Sequence, residues 1–146
     1  MSQAIRRAAQ MKNLLGVIWS GMLVAIVTYG AACLVLAGTP GDAAEDAETL
    51  RYIFTAVAIV VGGLSMWWRH YFLALEGPAT LGAGALRAHS LVVWALSEAV
   101  AICGLLLAVL AHTANEFLPF AFAAAALMIL HRPSNLPFAR LREPTM

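Results

Sequence analysis

The sequence predicts an all-α integral membrane protein, a four-helix bundle with both termini on the cytoplasmic side. Of its 146 residues, 62% are hydrophobic and only 12% are charged, whereas soluble domains are roughly half apolar and a quarter charged. The apolar residues form four runs separated by short polar links. A chain of this length makes one domain, so we expect residues 1–146 to form a single membrane domain.

The first two runs predict helices over residues 14–37 and 52–75. The first run is uncharged and exceeds the roughly 20 residues that cross a hydrocarbon core. The basic residues before it would also suit a signal peptide, but the apolar core of a signal peptide has roughly 7–15 residues. The second run ends in Trp67, Trp68 and Arg69, a mixture that is typical of the headgroup region.

The remaining runs predict helices over residues 90–111 and 115–131, followed by a cytoplasmic tail over 132–146. The third run contains one charged residue, Glu98. The apolar part of the fourth run is only about 21 Å long at 1.5 Å per residue, so we expect the preceding turn to complete the crossing. The tail holds arginines among prolines and is expected to lie on the surface.

The positions of the basic residues predict the orientation of the helices. Three precede the first run, two lie between residues 69 and 87, three lie in the tail, and the two other links together hold only Arg51. Lysine and arginine are enriched in cytoplasmic segments. Four crossings of a bacterial inner membrane, with both ends inside, satisfy this distribution.

Glu98 is the principal candidate for a functional residue. An ionised carboxylate inside a membrane is unfavourable unless it is neutralised, paired or hydrated. Because burial favours the neutral form, we expect Glu98 to hold a proton at rest and to release it on meeting water or a cation. The alternative is a permanently protonated, structural Glu98 that hydrogen-bonds to Ser97, to Ser65 or to a backbone carbonyl group.

The segment Phe-Leu-Ala-Leu-Glu-Gly over 72–77, Arg87, and Ala-Leu-Ser-Glu-Ala-Val-Ala-Ile-Cys-Gly-Leu over 95–105 resemble the c subunit of F-type ATP synthases. The resemblance covers residues 52–111 and implies a helical hairpin with a proton-binding carboxyl group, Glu98, midway along its second helix. It also implies a basic residue, Arg87, near the cytoplasmic start of that helix. A cytoplasmic loop is expected to contain Glu76, Gly77 and Pro78.

The chain also departs from that family. The family's loop reads Arg-Gln-Pro where this chain has Glu76-Gly77-Pro78, and its first hairpin helix is richer in glycine. We therefore expect a divergent relative that is not a working rotor subunit. Sodium-binding members carry hydroxyl and amide side chains around the carboxylate, whereas Glu98 is followed by Ala99 and Val100, so a proton is the expected ion.

Other residue types point to no further chemistry. The sequence has no Ser-His-Asp set, metal motif, phosphate-binding loop or basic patch, so we expect no enzyme, no metal, no cofactor and no nucleic-acid partner. Cys33 and Cys103 lie within apolar runs, where a thiol behaves as a small hydrophobic group. We interpret the histidines as residues at the membrane boundary; their positions are His70, His89, His112 and His131.

The leading hypothesis is a c-subunit-like membrane protein with a reversible proton-binding carboxylate and a role in proton translocation. The alternative is a non-catalytic accessory or assembly subunit of a membrane complex, in which the carboxyl group is structural. A third hypothesis is a small subunit of a respiratory complex that borders a quinone near Trp67, Trp68 and His70. The expected partners are the lipid bilayer and either other membrane subunits or further copies of the chain.

Overall fold

The computed structural model describes residues 3–36, 47–75 and 83–133, and these residues are almost entirely helical. Three helices contain stretches, over residues 9–36, 47–72 and 84–110, that are long and apolar enough to cross a membrane. The prediction of an all-α chain with helices of membrane length is therefore confirmed. The elements are α1 (Gln3–Leu36), α2 (Ala47–Leu75), α3 (Ala83–Leu110), a 3₁₀ turn (Ala114–Glu116) and α4 (Phe117–Leu130).

Three helices begin earlier than the apolar runs predicted. The helix α1 begins at Gln3 where residue 14 was predicted, α2 begins at Ala47 where 52 was predicted, and α3 begins at Ala83 where 90 was predicted. The added segments are rich in alanine, arginine, glutamine and leucine, which have high helix propensity. A helix can therefore begin several residues before its apolar run, because its backbone hydrogen bonds do not require apolar side chains.

Helix α3 is the central element of the described chain. It packs against α1, α2 and α4. In an apolar 18-residue window of each helix, 50% of the residues are buried in α3, against 11% in α1 and 6% in α2. Helix α3 contacts α4 at Gly104, where a β-carbon would overlap the side chain of Phe120. The absence of a side chain at Gly104 allows this approach. The buried residues of α3 include Trp94, Ser97, Val100, Ala101 and Leu107.

The turn after α3 redirects the chain into α4. The amide of His112 donates to the Val109 carbonyl (3.3 Å), and the amide of Thr113 donates to the Ala108 carbonyl (3.0 Å). These two bonds define a Schellman motif, and they place His112 in the left-handed region with φ 49°. An ion pair between Arg51 and Glu116 then joins the start of α2 to the 3₁₀ turn.

The end of α4 lies among the other helices, since His131 is only 2% exposed. The last carbonyl groups of a helix have no partner within the helix, and here three side chains donate to them. Each donor comes from a different helix. The pairs are Trp19 Nε1 with the Met128 oxygen (2.8 Å), Arg69 Nη1 with the Leu130 oxygen (2.6 Å), and Trp94 Nε1 with the His131 oxygen (2.8 Å).

Backbone amides donate to the two carbonyl groups in this segment that receive no side-chain donor. The amides of His131 and Arg132 donate to the oxygens of Leu127 (2.9 Å) and Ile129 (3.2 Å). Every carbonyl group from residue 127 to residue 131 therefore accepts a hydrogen bond. This is how a short helix can end among other helices, where a buried carbonyl group without a partner is unfavourable.

We expect Trp94→Phe to lower the free energy of unfolding by about 1–3 kcal/mol, because the buried His131 carbonyl loses its donor. Equilibrium unfolding in mild detergent measures this change. The matched control is Trp67→Phe, at an indole that is 53% exposed, with an expected change within about 0.5 kcal/mol. Equal effects of the two substitutions would contradict the proposed role of the Trp94 indole.

Candidate functional site

The Glu98 carboxyl group lies at the interface between α1 and α3, near the middle of α3. The side chain is half-buried, and its Oε1 atom accepts a hydrogen bond of 2.6 Å from the hydroxyl group of Tyr29 on α1. This distance is within the normal range for O–H···O hydrogen bonds. The structure thus joins a carboxyl group and a phenol from two different membrane-length helices.

No basic side chain in the described part of the chain forms an ion pair with Glu98; the ion pair found there joins Arg51 and Glu116. Tyr29 is a neutral donor, and no described residue donates to the second carboxyl oxygen of Glu98, Oε2. Tyr29 therefore orients Oε1, and Oε2 is left without a protein donor among the described residues.

The two serines that were predicted to support Glu98 have different partners. Ser65 and Ser97 are fully buried, and their hydroxyl oxygens are 3.4 Å apart. Both approach Nδ1 of His131, at 3.4 and 3.3 Å, and Ser97 also donates to the Val93 carbonyl at 2.8 Å. The structure brings Tyr29 to the carboxyl group of Glu98, and it brings the serines to His131.

His131 follows the last residue of α4 and is buried among the other helices. Its Nε2 atom has no partner among the described residues. The imidazole extends the polar cluster of Ser65 and Ser97.

His89 and His70 lie in different surroundings. Nδ1 of His89 accepts a hydrogen bond from the Trp68 indole (3.1 Å), and its ring stacks on Phe72 with centroids 3.7 Å apart. His70 is exposed. Within the described ranges, no group of three or more His, Cys, Asp or Glu side chains could hold a metal ion.

Arg87 is exposed near the start of α3, about 16 Å along the helix from Glu98 at 1.5 Å per residue. The predicted loop residues Glu76, Gly77 and Pro78 lie outside the described residues.

Cys33 and Cys103 are both buried and unpaired, which confirms the prediction that they serve packing. The ring of Trp67 stacks on that of Tyr71 with centroids 5.0 Å apart, on the exposed side of α2.

Two residues of this site were missed by the sequence analysis. Tyr29 is a polar residue within the first apolar run, and this is the signal that could have drawn attention to it. The sequence does not show which helix faces Glu98. His131 was recognised only as the end of the fourth run, because nothing in its neighbourhood predicts that this helix ends inside the protein.

No protein-family model matches the chain, and comparisons with curated proteins and with solved structures found no significant match. The function is therefore inferred from the site.

We expect the Tyr29 hydroxyl and the Glu98 carboxyl group to be energetically coupled. In a double-mutant cycle with Tyr29→Phe and Glu98→Gln, the coupling free energy of unfolding should be about 0.5–2 kcal/mol, the range for hydrogen bonds between membrane helices. Unfolding in detergent of the wild type, both single variants and the double variant measures it. A cycle with Tyr52→Phe, at an exposed tyrosine, should show no coupling. A coupling free energy of zero in the Tyr29 cycle would contradict a stabilising hydrogen bond between Tyr29 and Glu98.

Proposed function

We propose that the chain is a multi-pass inner-membrane protein in which Glu98 binds and releases a proton reversibly, with a role in proton translocation. All four helices cross the bilayer as a bundle in this proposal, and both termini lie in the cytoplasm. The hairpin of α2 and α3 acts as a divergent form of the c-subunit hairpin. The single observation that carries the proposal is the bond from Tyr29 to a carboxyl group that has no cationic partner among the described residues.

Three features support reversible exchange at this carboxyl group. No cationic side chain among the described residues pairs with it. The half-buried position of Glu98 leaves the group reachable from outside the helix packing. Tyr29 stays bonded to Oε1 whether Oε2 carries a proton or not, so exchange requires no rearrangement of the two helices.

The alternative is an accessory or assembly subunit in which Glu98 is structural. The same hydrogen bond favours it, because the bond joins α1 to α3. The two proposals differ in one property, namely whether the proton on Glu98 exchanges with water.

Labelling with a hydrophobic carbodiimide tests the proposal, since this reagent reacts with protonated carboxyl groups in apolar surroundings. We expect mass spectrometry of the protein in nanodiscs to show an adduct on Glu98 that decreases as the pH rises. Glu116, which is ion-paired with Arg51, is an internal control and should stay unlabelled. A pH jump should release one proton per chain from the wild type beyond that released from Glu98→Gln.

Labelling of Glu98 that does not change with pH, with equal proton release from the two proteins, would support the structural alternative. Labelling of Glu98 and Glu116 to the same extent would contradict both proposals, because Glu98 would then behave as a surface carboxylate.

A further inference from the structure

An apolar groove runs along the outside of the protein between α2 and α4. Both helices pack on α3, and the open groove between them has a volume of about 470 Å³. Small side chains make this space, since Gly62, Gly63, Ala123 and Ala126 all line it. A β-carbon at Gly63 would meet nothing within 4 Å, so the groove is open at that point.

The length of the groove corresponds to one leaflet of a bilayer. On α2 it extends from Thr55 to Met66, and on α4 from Pro119 to Leu130. Each stretch rises about 16 Å at 1.5 Å per residue. A hydrocarbon core is about 30 Å thick, so one leaflet is about 15 Å. A groove with these dimensions suits a single extended acyl chain.

The two ends of the groove differ in charge. Arg69 follows Met66 by three residues, which places both on one face of α2, and its guanidinium group reaches the Leu130 carbonyl at the end of the groove. A guanidinium group has five N–H donors, so it can bind an anion as well. At the opposite end, Arg51 is neutralised by Glu116.

We propose that the groove binds one acyl chain of an anionic phospholipid, with the lipid phosphate on Arg69. Basic pockets between membrane helices bind anionic head groups in this way. Among the described residues the acidic side chains lie elsewhere, with Glu48 and Glu116 near the opposite end and Glu98 mid-helix, so none of them matches Arg69. This lipid site does not depend on proton exchange at Glu98.

Native mass spectrometry of the full chain in detergent tests this site, with phosphatidylglycerol and phosphatidylcholine of identical acyl chains as probes. The wild type should bind phosphatidylglycerol about fivefold more tightly, which corresponds to about 1 kcal/mol for one basic residue. Gly63→Leu fills the groove and should remove this binding for both lipids. Gly21→Leu, at another glycine with open space around it, should bind as the wild type does.

Arg69 is tested separately, because it also bonds the end of α4. Arg69→Gln should lose the preference for phosphatidylglycerol, whereas Arg69→Lys, which keeps the charge, should retain it. Lys12→Gln, at an exposed lysine, is the control for the change in net charge and should leave the preference intact.

Unchanged lipid binding in Gly63→Leu would overturn the proposal. Equal binding of both lipids by the wild type would also overturn it, because the bound chain would then have no anionic head group. A wild-type dimer that dissociates in Gly63→Leu without loss of lipid would assign the groove to a second copy.

Discussion

Polar groups in apolar surroundings must find their partners within the chain, and the end of α4 shows how strongly this constrains the protein. Each of the other three helices supplies one donor to the last carbonyl groups of α4: Trp19, Arg69 and Trp94. These three bonds hold the end of α4, and His131 with it, against the other three helices. A change in the position of any one helix would leave a carbonyl group of α4 without its partner.

Helix α3 meets the same constraint at two adjacent residues. Successive side chains of a helix point about 100° apart, because the helix has 3.6 residues per turn. Ser97 therefore faces the buried side, where it meets Ser65 and His131, while Glu98 faces α1 and meets Tyr29. This separation keeps the cluster of Ser65, Ser97 and His131 apart from the carboxyl group and leaves Glu98 with a single neutral donor among the described residues.

The sequence predicted the helices well because a run of apolar residues is a local property. It predicted the first residues of the helices less well. Alanine and arginine residues before positions 14 and 90 extend α1 and α3 toward their N-termini, but they do not belong to the apolar runs. It identified Glu98 because a charge within an apolar run is conspicuous. The partner Tyr29 and the burial of His131 depend on which helix faces which, and this follows from packing between residues far apart in the chain.

The most direct test of the account is infrared spectroscopy of the Glu98 carboxyl group in lipid nanodiscs as the pH is changed. We predict a C=O band of a protonated carboxyl group that disappears as the pH rises, returns when the pH is lowered and is absent in Glu98→Gln. Its frequency should change in Tyr29→Phe, because the hydroxyl group of Tyr29 bonds to Oε1. A band that persists unchanged at every pH, or the lack of any such band, would contradict the claim that Glu98 exchanges a proton reversibly.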